Sequence, residues 1–469
     1  MISKQKLFSV VFLISFLGWS QNNKKPNIII ILADDLGWGD VGYHGSEIHT
    51  PNIDQLAKDG LRMERFYVAP ICSPTRAGLL TGRYPERYGL RSNVIPPWRD
   101  FGVDTKEVFL PEMLQKIGYT NRAILGKWHL GHSRIQYHPI RRGFTHFYGH
   151  YNGAIDYFTH IRHGELDWHN DFNSSYDQGY ATDLITKEAI QNIKRYSADE
   201  APFFMYIAYN APHAPLQAKE EDLIAQGYNP NKPKFSDEKG YGYLGRGNTI
   251  KQTYNAMVSS LDQGIGKILD AIKENNLEKN TIVLFFSDNG PDPGGGGNAG
   301  GLRGTKFEEW EGGVRVPAII KWPGKIKAGE LTNQVTGYID VMPTLLDITG
   351  VKEESKLPWD GISILPILKR QKSIIHREFY LGNKAMVNAQ WKLIKADGSR
   401  GMRLKEDVLF HIASDPSERV DVKQEYPLEY EKMKKAMEKY ENIYYKTQVP
   451  PHGEGSKGFK APKEWKINL

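Results

Sequence analysis

Residues 26–35 read Pro-Asn-Ile-Ile-Ile-Ile-Leu-Ala-Asp-Asp, and this stretch determines the fold class that the sequence predicts. Its apolar part, residues 28–32, is continuous and rich in β-branched side chains. A strand with one solvent-facing side would instead alternate apolar and polar residues. The pattern therefore predicts a strand buried on both faces, as in a parallel sheet covered by helices. The strand ends abruptly at two acidic residues, Asp34 and Asp35.

Three further apolar runs end in the same way, in polar residues that can do chemistry. They are residues 122–125, followed by Gly-Lys-Trp-His (126–129), residues 203–209, followed by Asn-Ala-Pro-His (210–213), and residues 281–287, followed by Asp-Asn-Gly (288–290). Segments with helical spacing, 53–60, 180–196 and 250–275, alternate with these strands. The alternation predicts an α/β fold with a large, mostly parallel sheet flanked by helices. Because ligands bind outside the carboxyl ends of the strands in such sheets, we expect the functional site there.

The character of the sequence changes between residues 365 and 375. Short strand-like pieces follow at 378–381, 391–395 and 408–410, and then a charged helix at about 426–444. We therefore predict a large α/β domain over residues 24–370 and a smaller C-terminal α+β domain, with a short sheet and a helix, over residues 371–469.

Residues 1–20 have the pattern of a secretory signal peptide. Lys4 and Lys6 precede an apolar run, residues 7–17, which is shorter than the roughly 20 residues that a membrane-spanning helix needs. The pattern predicts export, with no membrane association once the signal is cleaved. The chain has a single cysteine, Cys72, so it cannot form an internal disulfide. A disulfide-free exported protein of this size is typical of the periplasm or the secretions of a bacterium.

The charge composition indicates little beyond a mild preference for anions. The 61 Lys and Arg residues exceed the 55 Asp and Glu residues, which gives a formal net charge of +6. The basic residues are dispersed rather than clustered, so we expect no nucleic-acid partner.

Four polar side chains at two strand ends indicate a metal site. Asp34, Asp35, Asp288 and Asn289 offer only oxygen ligands, which suit hard cations, Ca²⁺ above Mg²⁺. A zinc site would be expected to contain histidine or cysteine. The alternative is that these acidic and amide side chains only cap the turns that follow the strands.

The most specific motif is Cys72-Ser73-Pro74-Thr75-Arg76, which is followed by Thr-Gly-Arg at 81–83. It resembles the signature of the type I sulfatases, in which the cysteine is oxidised after translation to formylglycine. Further motifs resemble that family in the same order along the chain: the opening strand with its paired aspartates (27–40), Gly-Lys-Trp-His-Leu-Gly (126–131), Ala-Pro-His (211–213), Ser-Asp-Asn-Gly (287–290), Leu-Arg-Gly-Thr-Lys (302–306) with Trp-Glu-Gly-Gly (310–313), and Asp-Pro-Ser-Glu (415–418). Within the family, Asp-Val-Gly-Tyr-His-Gly (40–45) and Arg-Arg-Gly-Phe (141–144) look closest to arylsulfatase B, the N-acetylgalactosamine 4-sulfatase type.

The resemblance implies the alkaline phosphatase-like sulfatase fold and a role for each matched residue. Cys72, as formylglycine, would be the nucleophile and also a ligand of the metal. Arg76 would hold its hydrate, and Lys127 and Lys306 would contact the sulfate. His213, assisted by Lys306, would protonate the leaving alcohol, and His129 would act as the base that releases sulfate. The resemblance also implies a maturation enzyme, supplied by the host, that generates formylglycine.

The substrate implied by the resemblance is a sulfated oligo- or polysaccharide, either an algal polysaccharide or a glycosaminoglycan. Asp156 and Arg303 are the predicted sugar contacts. Two alternatives remain open from the sequence. One is a phosphoester or phosphonate ester hydrolase of the same superfamily, and the other is an inactive, carbohydrate-binding relative.

Overall fold

The structure is a computed structural model that describes residues 24–91, 93–236, 244–351, 357–396, 398 and 402–467. The predicted signal peptide, residues 1–20, lies outside the described residues. Among the described residues, no helix combines the length and the apolar composition that crossing a bilayer requires.

The helices and strands have the following bounds. The strands are β1 (Asn27–Ala33), β2 (Leu61–Met63), β3 (Phe66–Tyr67), β4 (Asn121–Lys127), β5 (His146–His150), β6 (Ile161–Arg162), β7 (Glu165–Leu166), β8 (His169–Asn170), β9 (Asn173–Ser174), β10 (Phe203–Ala208), β11 (Thr281–Ser287), β12 (Ala318–Lys321), β13 (Glu330–Thr332), β14 (Thr336–Gly337), β15 (Phe379–Gly382), β16 (Ala385–Val387), β17 (Lys392–Ile394) and β18 (Val408–Phe410). The α-helices are α1 (Pro51–Asp59), α2 (Cys72–Thr81), α3 (Leu110–Gln115), α4 (Ala181–Tyr196), α5 (Glu220–Ala225), α6 (Ile250–Glu274), α7 (Glu311–Val314), α8 (Val341–Thr349), α9 (Leu365–Leu368) and α10 (Pro427–Glu441).

The main sheet has the order β13-β2-β12-β11-β1-β10-β4-β5-β8-β9. Its central strands β11, β1, β10, β4 and β5 are parallel to one another. Antiparallel pairs occur toward both edges, where β12 pairs with β11 and with β2, and β8 pairs with β5 and with β9. The predicted fold class, a large and mostly parallel sheet with flanking helices, is confirmed. The parallel centre places five carboxyl strand ends side by side at one edge of the sheet.

Strand β1 is buried on both faces, as its continuous apolar sequence predicts. Ile28, Ile30 and Leu32 pack into the core on one side of the sheet. Ile29, Ile31 and Ala33 pack into the core on the other side. The side chains of a strand alternate between its two faces. A strand that contacts a core on each face therefore has apolar residues at every position, as in this run of six.

The helices expected at 53–60, 180–196 and 250–275 correspond to α1, α4 and α6, with ends shifted by one or two residues. Helix α2 and strand β5 were not predicted. Every residue of α2 is buried, including Ser73, Thr75 and Arg76, so its sequence has no polar face to produce a helical period. Strand β5 reads His-Phe-Tyr-Gly-His, which contains no apolar run. Both elements are fixed by tertiary packing rather than by local sequence.

A second, antiparallel sheet of order β15-β16-β17-β18 lies near the C-terminus, and α10 packs on it through Met433 and Met437. Strands β15, β17 and β18 match the predicted pieces at 378–381, 391–395 and 408–410 to within one or two residues, and β16 was not predicted. The separate C-terminal sheet is therefore confirmed. The domain boundary at residue 371 stays a prediction.

A buried ionic network joins this small sheet to the rest of the molecule. The Lys392 Nζ on β17 lies 2.9 Å from Glu311 Oε1 on α7 and 2.9 Å from Glu418 Oε1. The backbone N–H of Glu311 also donates to Glu418 Oε2 at 2.7 Å. All three side chains are fully buried. Lys392 thus binds one glutamate from each of two motifs that are far apart in sequence, Glu311 of Trp-Glu-Gly-Gly and Glu418 of Asp-Pro-Ser-Glu.

Replacing Lys392 by methionine should lower the free energy of unfolding by about 3–5 kcal/mol, because two buried carboxylates would lose their shared cation. The measurement is urea unfolding of Lys392→Met against wild type. Lys395→Met is the matched control, since the Lys395–Glu441 pair is partly exposed and should contribute less than about 1 kcal/mol. Equal losses in the two variants would contradict the buried-network account.

His146, the first residue of β5, lies between two carboxylates. Its Nδ1 is 3.0 Å from Asp171 Oδ1 and its Nε2 is 2.9 Å from Glu188 Oε1. Burial opposes protonation of the ring, but hydrogen bonds to Asp171 and Glu188 outweigh it and raise the pKa of His146 to about 9. The protonated His146 ring therefore links β5 to α4 through its ion pair with Glu188.

This pair of contacts should make stability depend on pH. Because the pKa of His146 is higher in the folded chain than the unfolded value of about 6.5, its contribution is complete below about pH 6.5 and is lost as pH rises through about 9. Relative to His146→Gln, wild type should be more stable by about 2 kcal/mol near pH 6, and the difference should shrink near pH 10. Thermal unfolding of both proteins across this range tests it. A stability difference that is constant or grows with pH would refute the assignment.

Candidate active site

The carboxyl ends of four parallel strands bring the predicted residues together. Ala33 of β1 is in register with Ser287 of β11, so Asp34 and Asp288 leave their strands at the same level. The backbone N–H of Asp288 donates to Ala33 O at 3.0 Å, and that of Asp34 donates to Ala211 O, just beyond β10, at 3.1 Å. Lys127 is the last residue of β4.

Helix α2 presents the motif cysteine to this edge. Cys72 is its first residue, and Arg76 lies one turn later on the same face. The Cys72 Sγ lies within 4.8 Å of ligand atoms of both Asp34 and His213. Burial raises the pKa of the Cys72 thiol, although the nearby ammonium groups of Lys127 and Lys306 act in the opposite direction. An unmodified Cys72 is thus a buried, neutral thiol.

Three buried carboxylates pair with three buried cations around Cys72. Asp288 Oδ2 accepts from Arg76 Nε at 2.9 Å and lies 2.8 Å from its Nη2. Asp34 Oδ2 accepts from Lys127 Nζ at 2.5 Å. The Asp35 carboxylate accepts from Lys306 Nζ, at 2.7 Å to Oδ1 and 2.9 Å to Oδ2. The six formal charges cancel, so the chain's own groups leave the cluster nearly neutral.

The carboxylates differ in how easily they ionise. Burial and the neighbouring Asp34 raise the pKa of Asp288 to about 6, although Arg76 opposes the shift. Burial also disfavours the charged form of Asp35, but the Lys306 ammonium group outweighs it and holds the pKa of Asp35 well below its usual range. A cluster with opposed shifts of this kind is typical of functional sites.

The oxygens of this cluster fit a divalent cation. One carboxylate oxygen from each of Asp34, Asp35 and Asp288 lies within 4.8 Å of the others. Asp34 Oδ1 and Asn289 Oδ1 are buried and have no hydrogen-bond partner in the described structure. A buried acceptor without a donor is costly, and a hard cation would satisfy both oxygens. The donor set therefore suits Ca²⁺ or Mg²⁺, as the sequence predicts.

His129 follows β4 and His213 follows β10, so two different strand ends present these rings. The His129 ring packs on Gly153, where an added Cβ would lie 2.5–3.1 Å from three ring atoms, and its buried Nδ1 has no partner in the described residues. His213 Nε2 lies 3.7 Å from Asp35 Oδ2, and its Nδ1 faces Ala214 O at 2.5 Å. Burial lowers the pKa of His129 well below its usual range and that of His213 to about 3. Both rings are therefore neutral near pH 7, and each can accept a proton.

Comparison with known proteins identifies the family. The family model described as Sulfatase matches residues 26–351, and the model described as N-sulphoglucosamine sulphohydrolase, C-terminal, matches residues 306–445. The chain belongs to the sulfatase family. It is a sulfuric ester hydrolase, and members of this family use a metal ion and formylglycine.

This sulfatase is similar in sequence to named relatives over most of its length. It is 36% identical over 387 residues to N-acetylgalactosamine-6-sulfatase of Mus musculus, covering 77% of this chain and 70% of the relative. It is 30% identical over 482 residues to arylsulfatase J of Mus musculus, covering 91% and 77%. The finer likeness to arylsulfatase B stays a prediction.

Solved structures share its fold. Ps i-CgsB in complex with k-i-k-neocarrahexaose has a TM-score of 0.80 and 33% identity, over 92% of this chain and 96% of that one. The PsFucS1 sulfatase from Pseudoalteromonas sp. has a TM-score of 0.73 and 25% identity, over 91% and 92%.

The two predicted sugar contacts of the sulfatase have other partners. The Asp156 carboxylate accepts from the backbone N–H groups of Phe158 and Thr159 and from Gln217 Nε2, so it closes a loop. The Arg303 guanidinium lies 3.6 Å from the centroid of the Trp310 ring, and its Nη1 donates to Glu418 O at 3.0 Å. Their roles in substrate binding stay predictions.

Two further buried polar residues at strand ends were not among the predicted site residues. Asn210 follows β10, and its amide oxygen and nitrogen are both buried without a partner in the described residues. His150 ends β5, and its Nε2 is likewise buried and unpartnered. The rule that chemistry lies at strand ends would have identified His150 if β5 had been recognised, and it applies to Asn210 directly.

Proposed function

We propose that this sulfatase hydrolyses sulfate esters on a carbohydrate, with a nucleophile formed from Cys72 and a calcium ion held by the cluster. The observation that carries the proposal is the convergence of three buried carboxylate–cation pairs on Cys72 at one edge of the sheet. Two relatives support a carbohydrate substrate: the N-acetylgalactosamine-6-sulfatase by its name, and Ps i-CgsB by its complex with k-i-k-neocarrahexaose. An algal polysaccharide or a glycosaminoglycan is therefore the proposed substrate class.

The proposed metal ligands are Asp34, Asp35, Asp288 and Asn289, together with the oxidised side chain of residue 72. The chain's own charges cancel, so a bound Ca²⁺ gives the site a net positive charge that attracts a sulfate ester. Once matured and metal-loaded, the site supplies an attacking oxygen from the hydrated aldehyde and a cation that polarises the sulfate. Ca²⁺ is preferred to Mg²⁺ because a cluster of protein oxygens leaves little room for the waters that Mg²⁺ retains.

The surrounding side chains then bind and move protons. Arg76, fixed by Asp288, orients the hydrated residue 72. Lys127 and Lys306 donate to the sulfate oxygens and neutralise charge that would repel a nucleophile. His129 accepts a proton from the hydrate when sulfate is released, because its Nδ1 has no hydrogen-bond partner among the described residues.

His213 is proposed to deliver a proton to the leaving alcohol, with Lys306 assisting. Its side chain is 19% exposed, the largest exposure among the six proposed catalytic residues, so it can exchange protons with solvent. Nδ1 donates to Ala214 O, so Nε2 of the neutral ring carries only a lone pair and must take up a proton from solvent before it can deliver one to the leaving alcohol.

Two cellular requirements accompany the proposal. Cys72 must be oxidised by a formylglycine-generating enzyme of the host, since no group of the cluster is an oxidant. We also propose that residues 1–20 direct export to the periplasm or the medium of a bacterium.

The decisive experiment measures inorganic sulfate released from a panel of algal and glycosaminoglycan fragments, offered short and as intact polymer. Matched phosphorylated sugars are assayed in parallel, and formylglycine at position 72 is verified by mass spectrometry. Sulfate release from one carbohydrate class supports the proposal and identifies the substrate. Phosphate release in preference to sulfate would favour a phosphoester hydrolase, and binding without turnover would favour an inactive relative.

A further inference from the structure

Phe307 has an exposed side chain and a strained backbone, and packing compensates for neither. Its side chain is 49% exposed, although the residue before it, Lys306, is 3% exposed. Its backbone has φ of +76°, in the left-handed region where a side chain with a Cβ is strained. Strained residues of this kind concentrate at sites where the geometry serves a function. The strain and the exposure together make this ring a candidate for contact with a ligand.

Hydrogen bonds fix the backbone that carries this ring. The N–H of Phe307 donates to Pro70 O at 2.8 Å, two residues before Cys72, and the N–H of Lys306 donates to Pro291 O at 3.0 Å. The N–H of Thr305 donates to Glu308 Oε2 at 3.0 Å. The position of the ring relative to Cys72 is therefore set by the fold and not by a free loop.

The ring lies beside the charged cluster. The Lys306 Nζ is over the Phe307 ring, 5.5 Å from its centroid, and 2.7 Å from Asp35 Oδ1. His213, the most exposed of the proposed catalytic side chains, approaches the same Asp35. A sulfate group bound at Lys306 would thus bring the group that carries it next to the ring.

The chemistry of a phenyl ring restricts what it can recognise. Phenylalanine has no hydroxyl or N–H, so its exposed face offers only apolar and π contact. The C–H face of a sugar ring is the apolar surface of a carbohydrate, and it can stack on such a ring while its hydroxyls stay in water. An anion without an apolar face would gain nothing from this side chain.

We propose that Phe307 is the stacking platform for the sugar ring that bears the sulfate ester. The platform lies beside Lys306, so sulfate binding and sugar stacking occur on adjacent residues of one turn. This inference rests on the proposed carbohydrate substrate. It makes Phe307 a substrate-binding residue and not a participant in proton transfer.

The test compares Phe307→Ala and Phe307→Trp with wild type on the sulfated oligosaccharide that the panel selects. Loss of stacking should raise KM about 10-fold in Phe307→Ala with kcat within about 3-fold, and Phe307→Trp should keep KM within about 3-fold of wild type. The inhibition constant of inorganic sulfate, which has no ring, should change by less than about 2-fold. Tyr444→Ala, which removes an exposed aromatic outside the cluster, is the matched control and should leave KM unchanged.

A structural role would give a different pattern, in which kcat and Tm fall while KM holds, and this result would overturn the proposal. An unchanged KM in Phe307→Ala would also overturn it. If wild type releases no sulfate from any sugar, the proposed function fails separately. In that case, calorimetry of a carrageenan hexasaccharide binding to Cys72→Ala and to Cys72→Ala/Phe307→Ala tests the stacking proposal. Equal affinities of the two variants for the hexasaccharide would refute it.

Discussion

Replacing Cys72 by alanine should lower sulfate release by at least about 1000-fold, because the variant cannot form the aldehyde that supplies the attacking oxygen. The loss should appear in kcat, and it should not be restored by calcium or by a more active maturation enzyme. Ion chromatography of released sulfate, with wild type at matched concentration, measures it.

The variant should remain folded and metal-competent, which separates lost chemistry from lost structure. Cys72 is small and makes no disulfide, so its truncation should change the free energy of unfolding by less than about 1 kcal/mol. Calcium should still raise the Tm of Cys72→Ala. Residual turnover within about 10-fold of wild type would show that residue 72 is not the nucleophile.

Replacing Asp34 by asparagine should weaken calcium binding by at least about 100-fold and lower kcat/KM by about 1000-fold. Asp34 offers an unpartnered oxygen to the cation and also pairs with Lys127, so the substitution removes a ligand and leaves a buried ammonium group uncompensated. Isothermal titration with CaCl₂ after chelation measures the first effect. Chelation of wild type should abolish turnover, and Ca²⁺ should restore it more fully than Mg²⁺.

Asp262→Asn is the matched control, because Asp262 is a buried carboxylate that caps α1 and lies outside the cluster. It should lower stability without changing calcium affinity. The metal assignment would be wrong if the Asp34 and Asp262 variants bound calcium equally well, or if chelated wild type kept full activity.

The sequence was sufficient to predict the parts of the fold that rest on strong local patterns. Strand β1 is recognisable because both of its faces contact a core, and its six apolar residues show this directly. Helices α1, α4 and α6 are recognisable because each has one buried face. Helix α2 and strand β5 have no such period, since their polar residues are buried by contacts with distant parts of the chain.

The positions of several residues of the candidate site could also be predicted from the sequence. Asp34, Asp288 and Lys127 were predicted to meet because parallel strands end at a common edge, and the structure brings them together with Cys72 and Arg76. The position of Phe307 could not be predicted, because a strained and exposed aromatic leaves no sequence pattern. The hydrogen bonds by which Asp156 closes its loop could not be predicted either, because the sequence does not show which groups meet in three dimensions.

The central claim is that a formylglycine made from Cys72 performs the reaction. Its most direct test is to prepare the sulfatase with different levels of the maturation enzyme and to measure both the converted fraction at position 72, by peptide mass spectrometry, and the specific activity on one sulfated oligosaccharide. We expect activity to rise in proportion to the converted fraction and to extrapolate to zero for the unmodified thiol. Substantial activity in unconverted protein, or activity unrelated to conversion, would contradict the account.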